Sequence, residues 1–243
     1  MRVLTLFFFV FIAGLSQAQP VEVFPAVILN RDAGHVDLRG HVIGEETDWL
    51  ELLACRPGTR EHESVVTLEA QAEHIHAALL LLGLEPGAPS DAQIDGDTVT
   101  LIPPHGPPLE VFFIFDATLS DESDVPAVAE RPVPAGLYVA DQAHGKPLRD
   151  AGWIFTGSRM VQTPQRPYFL AEENGTLISL VNFGDDLVGR NTDQPADGGN
   201  GFWKLNPAPE GWPPLPPAGT GLTIRLSKTA ITPDKDNALN PQH

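Results

Sequence analysis

Ten consecutive positions, Cys55–Ser64 in the string CRPGTREHES, gather the chain's only cysteine, a Pro-Gly turn, two guanidinium groups and a Glu-His-Glu triplet. A thiol-dependent reaction would use Cys55 as nucleophile with His62 as its base. The sequence places Cys55 at the C-terminal end of a short helix over 49–54, where the helix dipole disfavours a thiolate, although Arg56 or Arg60 offsets this. The plainer reading, which we prefer, makes Cys55 a small buried hydrophobe, since free cysteine is among the most buried residue types.

The run Arg60, Glu61, His62, Glu63 enters a strand. If the extended backbone reaches back that far, Arg60 and His62 share one face and Glu61 and Glu63 the other. Such a segment separates its opposite charges, so it forms no compact catalytic unit. Its preferred role is architectural, with Arg60 and a carboxylate tying the loop to neighbouring elements. A metal site would recruit His62, His74 and His76 with Glu61 or Glu63. His74 and His76 are two apart on a helix, about 200° around its axis, and cannot easily face one ion. HExxH is absent. We therefore expect no metal and no cofactor, and read His76 as a hydrogen-bonding core histidine facing the Arg60 loop.

Other segments carry weaker chemistry. TGSR at 156–159 holds a serine without the G-x-S-x-G elbow and reads as a turn after a strand. NTDQPADGGN at 191–200 has oxygen ligands that would suit calcium, yet lacks the D-x-[DN]-x-[DN]-G pattern and reads as a solvated loop. Trp153, Tyr168, Phe183, Trp203 and Trp212 either fill a core or line a groove for a glycan or Pro-rich peptide, and exposure decides between these. The six prolines of 207–217 favour an extended polyproline segment that binds a partner or braces the surface before the last strand.

Residues 1–18, MRVLTLFFFVFIAGLSQA, have one positive charge, an apolar run and small Ser16 and Ala18 at the positions a signal peptidase reads. The run is shorter than the about 20 residues a transmembrane span needs. Export to the periplasm or exterior is therefore expected, with cleavage near Ala18 and no membrane span in the mature chain. One cysteine permits no internal disulfide, so stability must come from a packed core. The formal net charge is −17, and removing Arg2 leaves 14 basic against 32 acidic residues. Nucleic acid and anionic membranes are poor partners for that field. An envelope protein or ligand of unspecified identity is the expected partner.

The elements that must position these groups follow from periodicity and turn chemistry. Strands are expected at 26–29, 36–43, 64–68, 98–102 and 110–115, with helices at 49–54 and 70–82, the second ended by Gly83. The second half reads as strands at 153–156, 168–171, 177–182 and 222–226, with Asn174-Gly175 as a hairpin turn.

The segments LELLACRPGTREHESVV, HIHAALLLLGLEPG, WIFTGSR and ISLVNFGDDLV, with the Tyr168 hairpin, resemble the YdjY-type domain of exported bacterial proteins. That resemblance covers most of 20–228 and implies export without assigning a reaction. An association of the name with iron-sulfur chemistry does not transfer, because a cluster needs several thiolates and this chain has only Cys55. The reading is an α+β chain: a mixed or antiparallel sheet, two short helices in the first half and a β-rich second half. It comprises a signal peptide (1–18), a single domain (19–228, with a possible sub-boundary near 117–135) and a flexible tail (229–243). Its expected role is that of a non-enzymatic binding or structural module. A thiol/His enzyme centred on Cys55 and His62, or a metal-binding protein, are the alternatives.

Overall fold

The computed structural model describes residues 19–44, 49–96, 98–115, 131–196 and 202–228. The expected signal peptide at 1–18, the tail at 229–243 and most of the possible boundary near 117–135 lie outside the described residues.

In chain order the strands of the first half are β1 (Val21–Phe24), β2 (Val27–Asn30), β3 (His35–Val42), β4 (Leu52–Cys55), β5 (Ser64–Leu68), β6 (Asp91–Asp95), β7 (Thr98–Ile102) and β8 (Glu110–Phe115). Helix α1 (Ala72–Leu81) lies between β5 and β6. There follow β9 (Val133–Pro134), β10 (Val139–Asp141), β11 (Trp153–Phe155), β12 (Met160–Val161), β13 (Tyr168–Phe169), the short helix α2 (Leu170–Asn174), β14 (Thr176–Ser179), β15 (Val188–Arg190), β16 (Trp203–Leu205) and β17 (Gly221–Ser227).

Eleven of these strands make one sheet in the order β11-β15-β14-β4-β5-β3-β17-β8-β9, with β2 also paired to β3 and β1 to β2. The sheet is mixed: β4–β5 and β14–β15 run parallel and its other pairs antiparallel. The spine is β3 against β17, in register from His35↔Ser227 to His41↔Gly221. Leu222, Ile224 and Leu226 alternate into the core from β17, as one buried face requires. On the opposite face Arg225 donates from Nε and Nη2 to both oxygens of its cross-strand partner Asp37, each at 2.7 Å. Gly40 has a steric reason: a Cβ there would lie 2.3 Å from the Thr67 carbonyl oxygen. That contact lets β3 exchange β2 for β5 along the same edge. A continuous buried core runs from Ala26 to Leu226 and draws on both halves of the sequence.

The sheet is mixed as expected, but the chain is more β-rich than the α+β layout anticipates. Among the described residues of the first half only α1 is a helix of several turns, burying Ala72, Ile75, Ala78 and Leu79. The segment expected as a helix at 49–54 contains strand β4 instead. Its run of Leu, Leu, Ala and Cys fits an apolar helix stripe and a strand buried on both faces equally well. Lying between β5 and β14, with all four residues buried, it takes the second solution. The expected hairpin at Asn174-Gly175 is also corrected. Gly175 does take positive φ (76°), but as the left-handed residue that ends α2.

Candidate functional site

The charged motif is a weld between elements. Glu61–Glu63 forms a 3-10 turn rather than an extended strand entry. This brings Arg60 and Glu63 together at i and i+3, where Arg60 Nε donates to Glu63 Oε1. The expected separation of opposite charges is therefore wrong for this pair, and tight winding is the reason. Glu63 is buried and the Arg60 guanidinium lies 4.1 Å from the centroid of the Phe183 ring. Glu61 stays exposed and its Oε1 accepts the Gly58 N–H at 2.9 Å, closing the Pro-Gly turn. The Ser64 hydroxyl donates to the Arg60 carbonyl at 2.8 Å, and the Thr59 hydroxyl to that of Arg56 at 2.5 Å.

The same loop is clamped to α2. Arg56 donates to Glu172 Oε1 at 2.6 Å, while Glu172 Oε2 accepts the Ala72 N–H at 2.7 Å, so one carboxylate holds the loop and the first turn of α1. Thr59 packs against Gly175, where a Cβ would come within 2.1 Å of the Thr59 hydroxyl.

Cys55 ends the central strand β4 and is fully buried. Burial pushes its thiol pKa up, opposed more weakly by hydrogen bonding from Ser64, the Arg60 backbone and Thr59. His62 is exposed and sits edge-on to Trp49, with ring centroids 5.9 Å apart. A buried thiol with raised pKa, whose proposed base His62 is exposed and packs on Trp49, is not an activated nucleophile.

His74 and His76 diverge as their spacing requires. His74 stacks on Phe24 at 4.6 Å, and His76 meets Phe155 at 5.2 Å and Phe169 at 5.5 Å. The ring contacts of His76 are thus with these phenylalanines rather than with Arg60, and its burial lowers its pKa. Among the described residues no three His, Cys, Asp or Glu side chains gather where they could hold a metal ion. Part of the acidic loop expected as solvated, 197–200, lies outside the described residues.

An accessible groove of about 520 Å³ lies elsewhere, between the β6–β7 hairpin and the loop that joins β14 to β15. Leu101, Ile102, Phe183, Gly184, Arg159 and Asp193 are among its lining residues. Phe183 connects it to the motif, since Arg60 stacks against that ring. The loop behind Phe183 is braced from within by Asp186. Its carboxylate accepts the Phe183 and Gly184 N–H groups at 3.3 Å, and burial pushes its pKa up to about 7, with the neighbouring Asp185 charge adding to the shift.

From TGSR, Arg159 also lines the groove. Ser158 adopts φ 58°, uncommon for a residue with a Cβ. Its hydroxyl donates to the Asp185 carbonyl at 2.6 Å and accepts the Ala171 N–H at 3.1 Å, so the serine staples two loops. Arg159 then extends to the Ser90 carbonyl at 2.7 Å and Asp91 Oδ1 at 3.3 Å.

Residues 27–227, which carry the motif, the groove walls and the whole spine of the sheet, match the YdjY domain. The chain belongs to the YdjY domain family. No curated protein and no solved structure matches it. Within this YdjY domain, Trp153 and Trp203 are core residues, whereas Phe183 faces the groove. The proline-rich segment braces the domain: Pro213 accepts the buried Tyr138 hydroxyl at 2.7 Å, and Trp212 and Leu215 pack on the core. Sequence reasoning missed β6 and the groove residues Arg159 and Asp193. Asp95-Gly96 ahead of the strand at 98–102 was the available hairpin signal.

Proposed function

We propose that this YdjY-family protein is an exported, acidic envelope protein acting as a non-enzymatic binding module, with the groove beside Phe183 as its site. One observation carries the reading: the reactive groups of the Cys55–Ser64 motif are committed to internal contacts, whereas the groove offers an accessible, largely apolar surface. Ligand sites are concave and mostly apolar with a few placed polar groups, and a groove of this size holds a short peptide or a small molecule. Export is supported by the signal-like pattern of residues 1–18 and by the family resemblance. No helix among the described residues is long and apolar enough to cross a membrane.

The test is turnover. Mature wild-type protein and the Cys55→Ser and His62→Ala variants are incubated with a small-molecule extract of a bacterial envelope, and the products are followed by mass spectrometry. No product that depends on either side chain is expected. A product formed by wild type and lost in either variant would overturn the reading and move the thiol/His enzyme to the front.

A further inference from the structure

The β6–β7 hairpin has a two-faced pattern with no covering layer among the described residues. Its register pairs Ala92 with Leu101 and Ile94 with Val99. Positions two apart share a face, so these four apolar side chains form one stripe. The other face carries Asp91, Gln93, Asp95, Thr98, Thr100 and Ile102. Every residue of both strands is exposed: Ile94 is 71%, Leu101 69% and Val99 60% accessible. The two strands pair only with each other among the described strands, which leaves backbone donors and acceptors along their outer edges. Ala92 and Leu101 line the groove, whereas Ile94 and Val99 continue the stripe beyond it.

The carboxylates flanking the stripe favour a cation. Asp95, on the other face of the hairpin, and Asp193, in the groove lining, are exposed, whereas Asp91 is paired with Arg159 at 3.3 Å. Among the described residues Arg159 is the one cationic side chain lining the groove, and it is already engaged by the Ser90 carbonyl and Asp91. Asn182, also in the lining, spends its amide N–H on the Thr192 carbonyl at 2.6 Å, and its Oδ1 is buried with no donor among the described residues. The whole chain carries −17. A second copy of the protein would bring the same carboxylates against these, and an anionic ligand would meet them unpaired.

Resting on the binding-module reading, we infer that the groove and the apolar face of the β6–β7 hairpin bind an extended peptide segment of a partner protein, with apolar residues at alternate positions and Lys or Arg between them. A strand of five residues spans about 17 Å, so an elongated ligand is needed to cover the stripe from Leu101 to Ile94. Strand addition along the hairpin edge satisfies the backbone, the apolar side chains lie on Ala92, Ile94, Val99 and Leu101, and the basic side chains reach the carboxylates.

The experiment uses the mature protein at physiological salt and two labelled probes of about nine residues, one alternating Lys with Val and one alternating Glu with Val. Fluorescence anisotropy measures binding to wild type, to Asp193→Asn and to the double variant Ile94→Ser/Leu101→Ser. The double variant changes only exposed side chains and leaves the net charge intact, so non-specific attraction of a basic peptide survives in it. Its melting curve confirms folding. The Lys-Val peptide is expected to bind wild type, to weaken about tenfold in the double variant and about threefold in Asp193→Asn, and to bind far better than the Glu-Val peptide. Failure of the Lys-Val peptide to bind, or equal binding by the double variant, would overturn the inference. So would a wild-type dimer in sedimentation that the double variant dissolves, because the occupant would then be a second copy. A Glu-Val peptide that binds wild type better and loses affinity in the double variant would reject the cationic ligand while leaving the groove as a binding site.

Discussion

Asp186→Asn is the sharpest perturbation of the loop that shapes the groove. In the folded chain burial holds the Asp186 carboxyl near pKa 7, against an ordinary value of 3.8. A folded-state pKa above the unfolded one means that the native protein retains a proton the unfolded chain has released. This contribution is therefore fully present below pH about 3.8, falls as pH rises, and is gone above about 7. The gap of roughly three units corresponds to about 4 kcal/mol at 1.36 kcal/mol per unit. That figure is an upper bound, since Phe183 and Gly184 line an open groove and their loop can relax to let water reach the charge. Asparagine has the same shape, and its Oδ1 can still accept from the Phe183 and Gly184 N–H groups, but it does not titrate. Urea denaturation of wild type and variant at matched pH values from 4 to 8 separates this group from all others, because their contributions cancel in the difference. The variant should gain on wild type steadily as pH rises, by up to about 4 kcal/mol at the top of the range. Two curves running parallel across that range would refute the claim of a buried, proton-retaining Asp186.

Other perturbations probe the weld. Arg60→Ala leaves Glu63 buried without its partner and should cost about 3 kcal/mol of unfolding free energy. Adding Glu63→Gln should recover part of that loss, and melting equal to wild type in the single variant would refute the architectural role. Gly175→Ala places a Cβ against Thr59 at positive φ and should cost at least about 2 kcal/mol, read by thermal unfolding; a neutral result would mean that the Thr59 loop is not pressed against α2. Glu172→Ala removes both the Arg56 pair and the acceptor at Ala72. A loss of about 1–2 kcal/mol is expected, with faster amide exchange in the first turn of α1, and unchanged exchange there would contradict the clamp.

Legibility differed between parts of the chain for physical reasons. Strands β3 and β17 and helix α1 are legible because local alternation, helical spacing and the Gly83 stop agree with the burial the fold imposes, whereas β5, β7 and β8 are legible as short β-branched or aromatic runs bounded by turn residues. β4 could not, since an apolar run of this length looks alike as buried strand or helix and only its place between β5 and β14 decides. Gly175 reads as a positive-φ residue and takes that conformation, but a helix end and a hairpin turn use glycine for the same reason. At the motif, the buried thiol of Cys55 was foreseeable from residue type, whereas the Arg60–Glu63 contact depends on a 3-10 turn that no periodicity marks. The groove was least legible, because it joins positions as far apart as Ser90 and Pro195, with Phe183 and Arg159 between them, through tertiary packing alone.

The central claim, that the Cys55–Ser64 motif is structural rather than reactive, is most directly tested by alkylating Cys55 in the folded protein as a function of pH, with the denatured chain as reference. The structure predicts a thiol protected in the folded state, modified at a rate set by opening of the central sheet and released only by denaturant. Rapid modification of the folded protein, with an apparent pKa well below about 8.5, would reveal an accessible thiolate beside positive charge and contradict the account.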